Sequence, residues 1–176
     1  MLKMFTTQLH GLFQRIQEKQ SEWIEDGARL LAQAAIADHT IYVYGTAEMD
    51  AVVCEALKGA EPLSHTTSLH SVDDLGQLTM MDRVLLVSRY STDSEALQLA
   101  KKLSEKGIPF VAIASHIESN KETIVDLADV HIDLQLKKGL IPNDDGGRSG
   151  YPFSMAALFV YYALKLTIEE ILVEYE

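Results

Sequence analysis

The sequence holds a single cysteine, four prolines and one tryptophan, and it is short of positive charge, with 15 Lys and Arg against 26 Asp and Glu in 176 residues. The lone Cys54 forms no intrachain disulfide, and the opening Met1-Leu2-Lys3-Met4-Phe5 lacks the charged, apolar and small-residue regions of a secretory signal, so a reducing cytoplasm is expected. Long apolar runs are also missing. The longest nearly uncharged stretch, Phe153 to Leu164, falls short of the roughly 20 residues that cross a bilayer and is closed by Lys165, so no membrane span is expected. A net charge of −11 argues against nucleic acid as a partner, because affinity for nucleic acid comes largely from neutralising phosphates with Lys and Arg. Small anions stay open, since a phosphate needs only a few aimed donors. His65 and His70 stand five apart with no further ligand cluster in view, so neither metal nor cofactor is expected.

What is present reads as one domain, with no repeat, low-complexity tract or Gly/Ser-rich linker. Leu2, Phe5, Leu9, Leu12 and Ile16 recur at helical spacing, and Trp23, Leu30 and Ala37 continue at sevens. This predicts a long leading helix within residues 1–37, from about Phe5 to Ile36, with Gly27 as a point of kinking. The core follows over residues 38–136. Thr40 to Tyr44 reads as a buried strand ending at Gly45, with a helix from about Met49 to Lys58 after it. Leu63 to Leu69 is either a short strand or an extended loop. Arg83 to Ser88 is a strand, and Thr92-Asp93-Ser94-Glu95 is a capping box opening a helix that Gly107 stops. Phe110 to Ala114 is the next strand, Ser119-Asn120-Lys121-Glu122 a second capping box, and Val130 to Leu134 the last strand. Residues 137–151, with four glycines, read as an irregular loop, and residues 152–176 as a closing helix apolar around most of its circumference. The alternation of strand and helix argues for an α/β fold, a three-layer doubly wound sandwich around a mainly parallel five-stranded sheet. Such sheets bind ligands at the strands' carboxyl ends. The two flanking helices carry more apolar surface than one small sheet needs, which predicts a homodimer.

The stretch Asp82 to Ser115, DRVLLVSRYSTDSEALQLAKKLSEKGIPFVAIAS, resembles the central strand, Ser-rich loop, helix and strand of sugar isomerase (SIS) domains. The leading helix, IYVYGTAEMD at the first strand and turn, LADVHIDL and the apolar closing helix extend the resemblance over nearly the whole chain. It looks most like a short phosphoheptose isomerase-type protein. The resemblance implies a bound sugar phosphate and aldose-ketose isomerase activity. The alternative is a noncatalytic sensor or dimeric scaffold that has lost the chemistry. A nucleotide-binding doubly wound domain would carry Gly-x-Gly-x-x-Gly after its first strand, and this chain does not.

The candidate ligand-binding residues are Gly45 and Thr46 in the first loop and Ser88, Ser91 and Thr92 in the second. Hydroxyls and free amides before a helix converge on an anion there. Arg148 and Ser149, just before the closing helix, offer a further anion-binding edge. The family's Ser-x-Ser-Gly-x-Thr is replaced by Ser88-Arg89-Tyr90-Ser91-Thr92-Asp93, and Glu48, Asp50 and Asp93 place negative charge where a phosphate would sit. Arg89 offsets this if it turns inward. Isomerisation through an enediol requires a base near neutrality and a group to polarise the carbonyl. Glu48 and His116, each following a strand's carboxyl end, are the candidates for catalysis. Cys54 is expected to be a small buried apolar residue.

Overall fold

The computed structural model describes residues 1–71 and 73–175. Among these residues five strands form one parallel sheet in the order β2-β1-β3-β4-β5: Thr66–Ser68, Ile41–Gly45, Arg83–Tyr90, Phe110–Ser115 and Val130–Asp133. Because side chains alternate across a strand, Ile41 and Val43, Leu85 and Val87, Val111 and Ile113 face one side. They pack there with α1 (Leu2–Ile36), α2 (Asp50–Lys58) and α5 (Phe153–Tyr175). Tyr42 and Tyr44, Val84 and Leu86, Phe110 and Ala112 face the other side, against α3 (Ser94–Lys106) and the single turn α4 (Ile124–Leu127). The result is the three-layer, doubly wound sandwich that the alternating pattern predicts.

Local departures have physical causes. Gly27 does not kink α1, which runs unbroken. It packs closely on both α5 and the sheet: a Cβ there would stand 3.2 Å from Leu164 and 3.3 Å from Val111, so the missing side chain lets the helix fit against both. Asp93, not Thr92, caps α3, its carboxylate accepting from the Ala96 amide at 3.0 Å. The second helix start falls later than Ser119, because Thr123 and Asp126 make the capping box of α4. Residues 137–151 are more ordered than their composition predicts, since β6 (Ile141–Pro142) and β7 (Arg148–Ser149) pair as a small antiparallel ladder. Cys54 is exposed: α2 buries Val52, Val53 and Ala56 and turns the thiol outward, against the expectation of a buried role.

No helix among the described residues is long and apolar enough to cross a membrane.

Candidate site at the sheet's switch point

From β1 the chain moves outward to β2 and then crosses back to β3 on the other side. The carboxyl ends of β1 and β3 therefore flank a switch point, where open α/β sheets leave a crevice. Gly45 ends β1 beneath the first turn of α2. A Cβ there would lie 2.5 Å from the Met49 carbonyl oxygen, so only glycine permits this approach. Thr46 follows, its amide donating to the Val87 carbonyl at 3.0 Å. Its side chain is buried, and among the described residues Oγ1 has no partner. Two residues further along each strand exit, Arg89 donates from Nε to Glu48 Oε1 at 2.6 Å and from a terminal nitrogen to Oε2 at 2.5 Å. This bidentate ion pair joins the two loops and, through the guanidinium hydrogen bonds, holds the Glu48 carboxyl below its ordinary range.

The second loop is built inward. Ser88 and Ser91 are fully buried. Ser88 Oγ donates to the Tyr90 carbonyl at 3.0 Å, while Ser91 Oγ accepts from the Ile117 amide at 2.9 Å and so ties this loop to the end of β4. Both hydroxyls are engaged within the protein, Ser88 in its own loop and Ser91 with the segment that follows β4. Thr92 is exposed, and the Asp93 carboxylate is occupied by the Ala96 amide at the start of α3, so its charge is partly answered there. Tyr90 packs edge-on against Phe153 at the start of α5, with ring centroids 5.1 Å apart.

Other candidates lie elsewhere. Arg148 donates to the Gly139 carbonyl at 2.6 Å and the Leu140 carbonyl at 2.9 Å, and Ser149 to Asn143 at 2.9 Å. Both fasten the β6-β7 hairpin, which engages these two expected anion-binding side chains within the protein. His116 stands past β4, in a cleft of about 400 Å³ with Gln20, Trp23 and His131, its ring 6.4 Å from that of His131. With β4 two strands from β1, the inter-strand spacing puts Glu48 and His116 on the order of 10 Å apart. His65 lies near Asp38 and His70 bonds Ser68, so the two do not face one site.

Gly45 also lines a cleft of about 440 Å³ at the carboxyl ends of β1 and β2, with Tyr44, Asp50, Lys58, His70 and Glu95, and of this lining sequence reasoning assigned only Gly45 to a ligand. Tyr44 donates its hydroxyl to Glu95 across the sheet's end, and burial, then this bond, pushes the phenol well above its ordinary pKa. The available signal is Leu63 to Leu69: read firmly as a strand, it points to His70 at its carboxyl end.

A family model described as a domain of unknown function, DUF2529, matches residues 1–172. The chain belongs to that family. The uncharacterized protein YwjG of Bacillus subtilis (strain 168) is 46% identical to this DUF2529 chain over 175 residues, 99% of each. Among solved structures, the sugar isomerase domain of an RpiR transcription factor from Sphaerobacter thermophilus is 18% identical, with a TM-score of 0.63 over 99% of this chain and 94% of that one. The Vibrio vulnificus NanR protein complexed with ManNAc-6P is 14% identical, with a TM-score of 0.74 over 99% of this chain and 64% of that one. The phosphoheptose isomerase GmhA from Neisseria gonorrhoeae is 14% identical, with a TM-score of 0.63 over 94% of this chain and 95% of that one. At such identities the likeness shows the fold alone: this DUF2529 chain has the fold of sugar isomerase domains.

Proposed function

We propose that this chain binds a sugar phosphate at the carboxyl ends of β1 and β3, as the ligand-binding domain of a homodimer. The observation that carries the reading is the switch point between β1 and β3, where Gly45 ends the first strand and Thr46 follows with a buried, unpartnered hydroxyl, in a fold shared with a protein solved with ManNAc-6P and with a phosphoheptose isomerase. Gly45, Thr46 and exposed Thr92 are the residues assigned to the ligand, with Ser88 and Ser91 shaping the second loop. Binding without turnover is the favoured form. An enediol mechanism needs a base and a polarising group at adjacent carbons, whereas Glu48 is held by Arg89 and His116 stands two strands away. Aldose-ketose isomerisation is the second reading, favoured by the position of Glu48 at the crevice.

The homodimer rests on α5, where Met155, Tyr162, Leu166 and Val173 are 43, 43, 56 and 71% exposed along one stripe. A second copy of the chain covers such a stripe most economically. Sedimentation at micromolar concentration should show a dimer, and a monomer alone would contradict it. A thermal-shift screen against pentose, hexose and heptose phosphates tests the ligand, because a molecule that binds only the native state raises its melting temperature. Turnover of sedoheptulose 7-phosphate that Glu48→Gln abolishes would establish the isomerase reading in its place.

A further inference from the structure

The Glu48–Arg89 pair bridges the loops that leave β1 and β3, and neither residue has a role in the fold's core. It joins the β1 and β3 exits two residues beyond the Thr46–Val87 backbone bond. Two residues before Glu48, Thr46 carries a buried hydroxyl without a partner, which is costly to leave in a folded protein. The side chains of Arg89 and Glu48 are 47 and 38% exposed, which keeps the pair screened and readily exchanged. A guanidinium fork fits a phosphate as well as a carboxylate, and a phosphate monoester brings nearly two negative charges where Glu48 brings one.

We propose that Arg89 is the phosphate-binding residue of this site and that Glu48 is its resident competitor. The ion pair is a latch that a phosphate monoester opens by taking the guanidinium from the carboxylate. This inference rests on the sugar-phosphate reading and adds to it the residue that holds the phosphate and the residue that limits affinity. Glu48 then works against binding: the freed carboxylate stays close to the incoming dianion and repels it. The acidic first loop becomes a device that raises the phosphate concentration needed for occupancy.

The test is calorimetric titration of the full chain with inorganic phosphate and with the pentose, hexose and heptose phosphates, in wild type, Glu48→Gln, Arg89→Lys, Arg89→Met and the Glu48→Gln/Arg89→Met double variant. Glu48→Gln keeps the side chain's shape and removes its charge, and should tighten binding about five- to tenfold. Arg89→Met should weaken it at least about tenfold, Arg89→Lys should fall between through loss of the fork, and the double variant should show none of the Glu48→Gln gain. If wild type binds a sugar phosphate and Glu48→Gln binds it no better, the latch is overturned and the sugar-phosphate reading stands. A gain that persists in the double variant also overturns the latch, as a general charge effect. If Glu48→Gln gains affinity for inorganic phosphate through Arg89 but no sugar phosphate binds better than phosphate itself, the latch stands and the sugar reading falls. Absence of binding in every variant overturns both.

Discussion

Replacing Gly45 by alanine tests the physical construction of the site more directly than any loop truncation. The added Cβ would stand 2.5 Å from the Met49 carbonyl oxygen, 2.6 Å from its carbon and 2.8 Å from the Asp50 nitrogen. All three are backbone atoms in the turn that starts α2, so no side-chain rotation relieves the clash and the helix start must shift. Overpacking of this kind costs about 1–3 kcal/mol, offset by about 0.4–1 kcal/mol from the lowered entropy of the unfolded chain. The net loss of about 1–2 kcal/mol lowers the melting temperature by about 2–8 °C for a domain of this size. Gly76→Ala is the internal control: a Cβ there meets nothing within 4 Å, and the same entropic term should leave stability unchanged or raised. Urea denaturation and calorimetry of both variants provide the assay. If Gly45→Ala proves as stable as Gly76→Ala, the close approach of α2 to β1 is wrong, and with it the placing of Glu48.

Lys165 is 2% exposed, with Glu169 at 2.5 Å and Glu61 at 3.8 Å. Glu169→Gln leaves the buried ammonium only the more distant Glu61 and should cost about 1–3 kcal/mol in urea denaturation, whereas Lys165→Met removes the charge that needed pairing and should be close to neutral; the reverse order would contradict the pairing. Burial lowers the His131 pKa from its ordinary 6.5, although its Nε2 meets the Ala114 carbonyl at 2.9 Å. The folded value lies below the unfolded one, so the stabilising contribution of the neutral ring is full above 6.5 and is lost as pH falls through that value toward the folded one. His131→Gln should flatten the fall in urea midpoint between about pH 7 and about pH 5, and a slope equal to the wild type's would refute the assignment.

The fold is legible in the sequence because strands buried on both faces must be continuously apolar, as in Arg83 to Ser88 and Phe110 to Ala114. Thr66–Ser68 is ambiguous for the opposite reason: it pairs on one side only, and its residues are half-buried or exposed. The N-caps lie one to four residues from where local pattern puts them, because Thr, Asp, Ser and Asn all cap and tertiary contacts choose among them. Glu95 reads as the return partner of Thr92, yet it accepts from Tyr44 of β1, 51 residues away. The exposure of Cys54 is recoverable from helical spacing, since Val52, Val53 and Ala56 define the buried face of α2. The candidate site is legible as a location at the strand ends and much less so as a set of side chains. Ser88 turns its hydroxyl into the protein, and the Glu48–Arg89 pair joins residues 41 apart for which no local pattern exists.

The central claim is that a sugar phosphate binds at the carboxyl ends of β1 and β3. Titration of the isotopically labelled protein with pentose, hexose and heptose phosphates, followed by amide chemical shifts, tests it at residue resolution. The largest saturable changes are expected at Gly45, Thr46, Glu48, Arg89 and Thr92, with the β6-β7 hairpin at Arg148 and Ser149 unmoved. Saturable changes centred on the hairpin, on the His116 and His131 cleft, or on the α1 and α5 face would contradict it, as would a spectrum that no sugar phosphate alters.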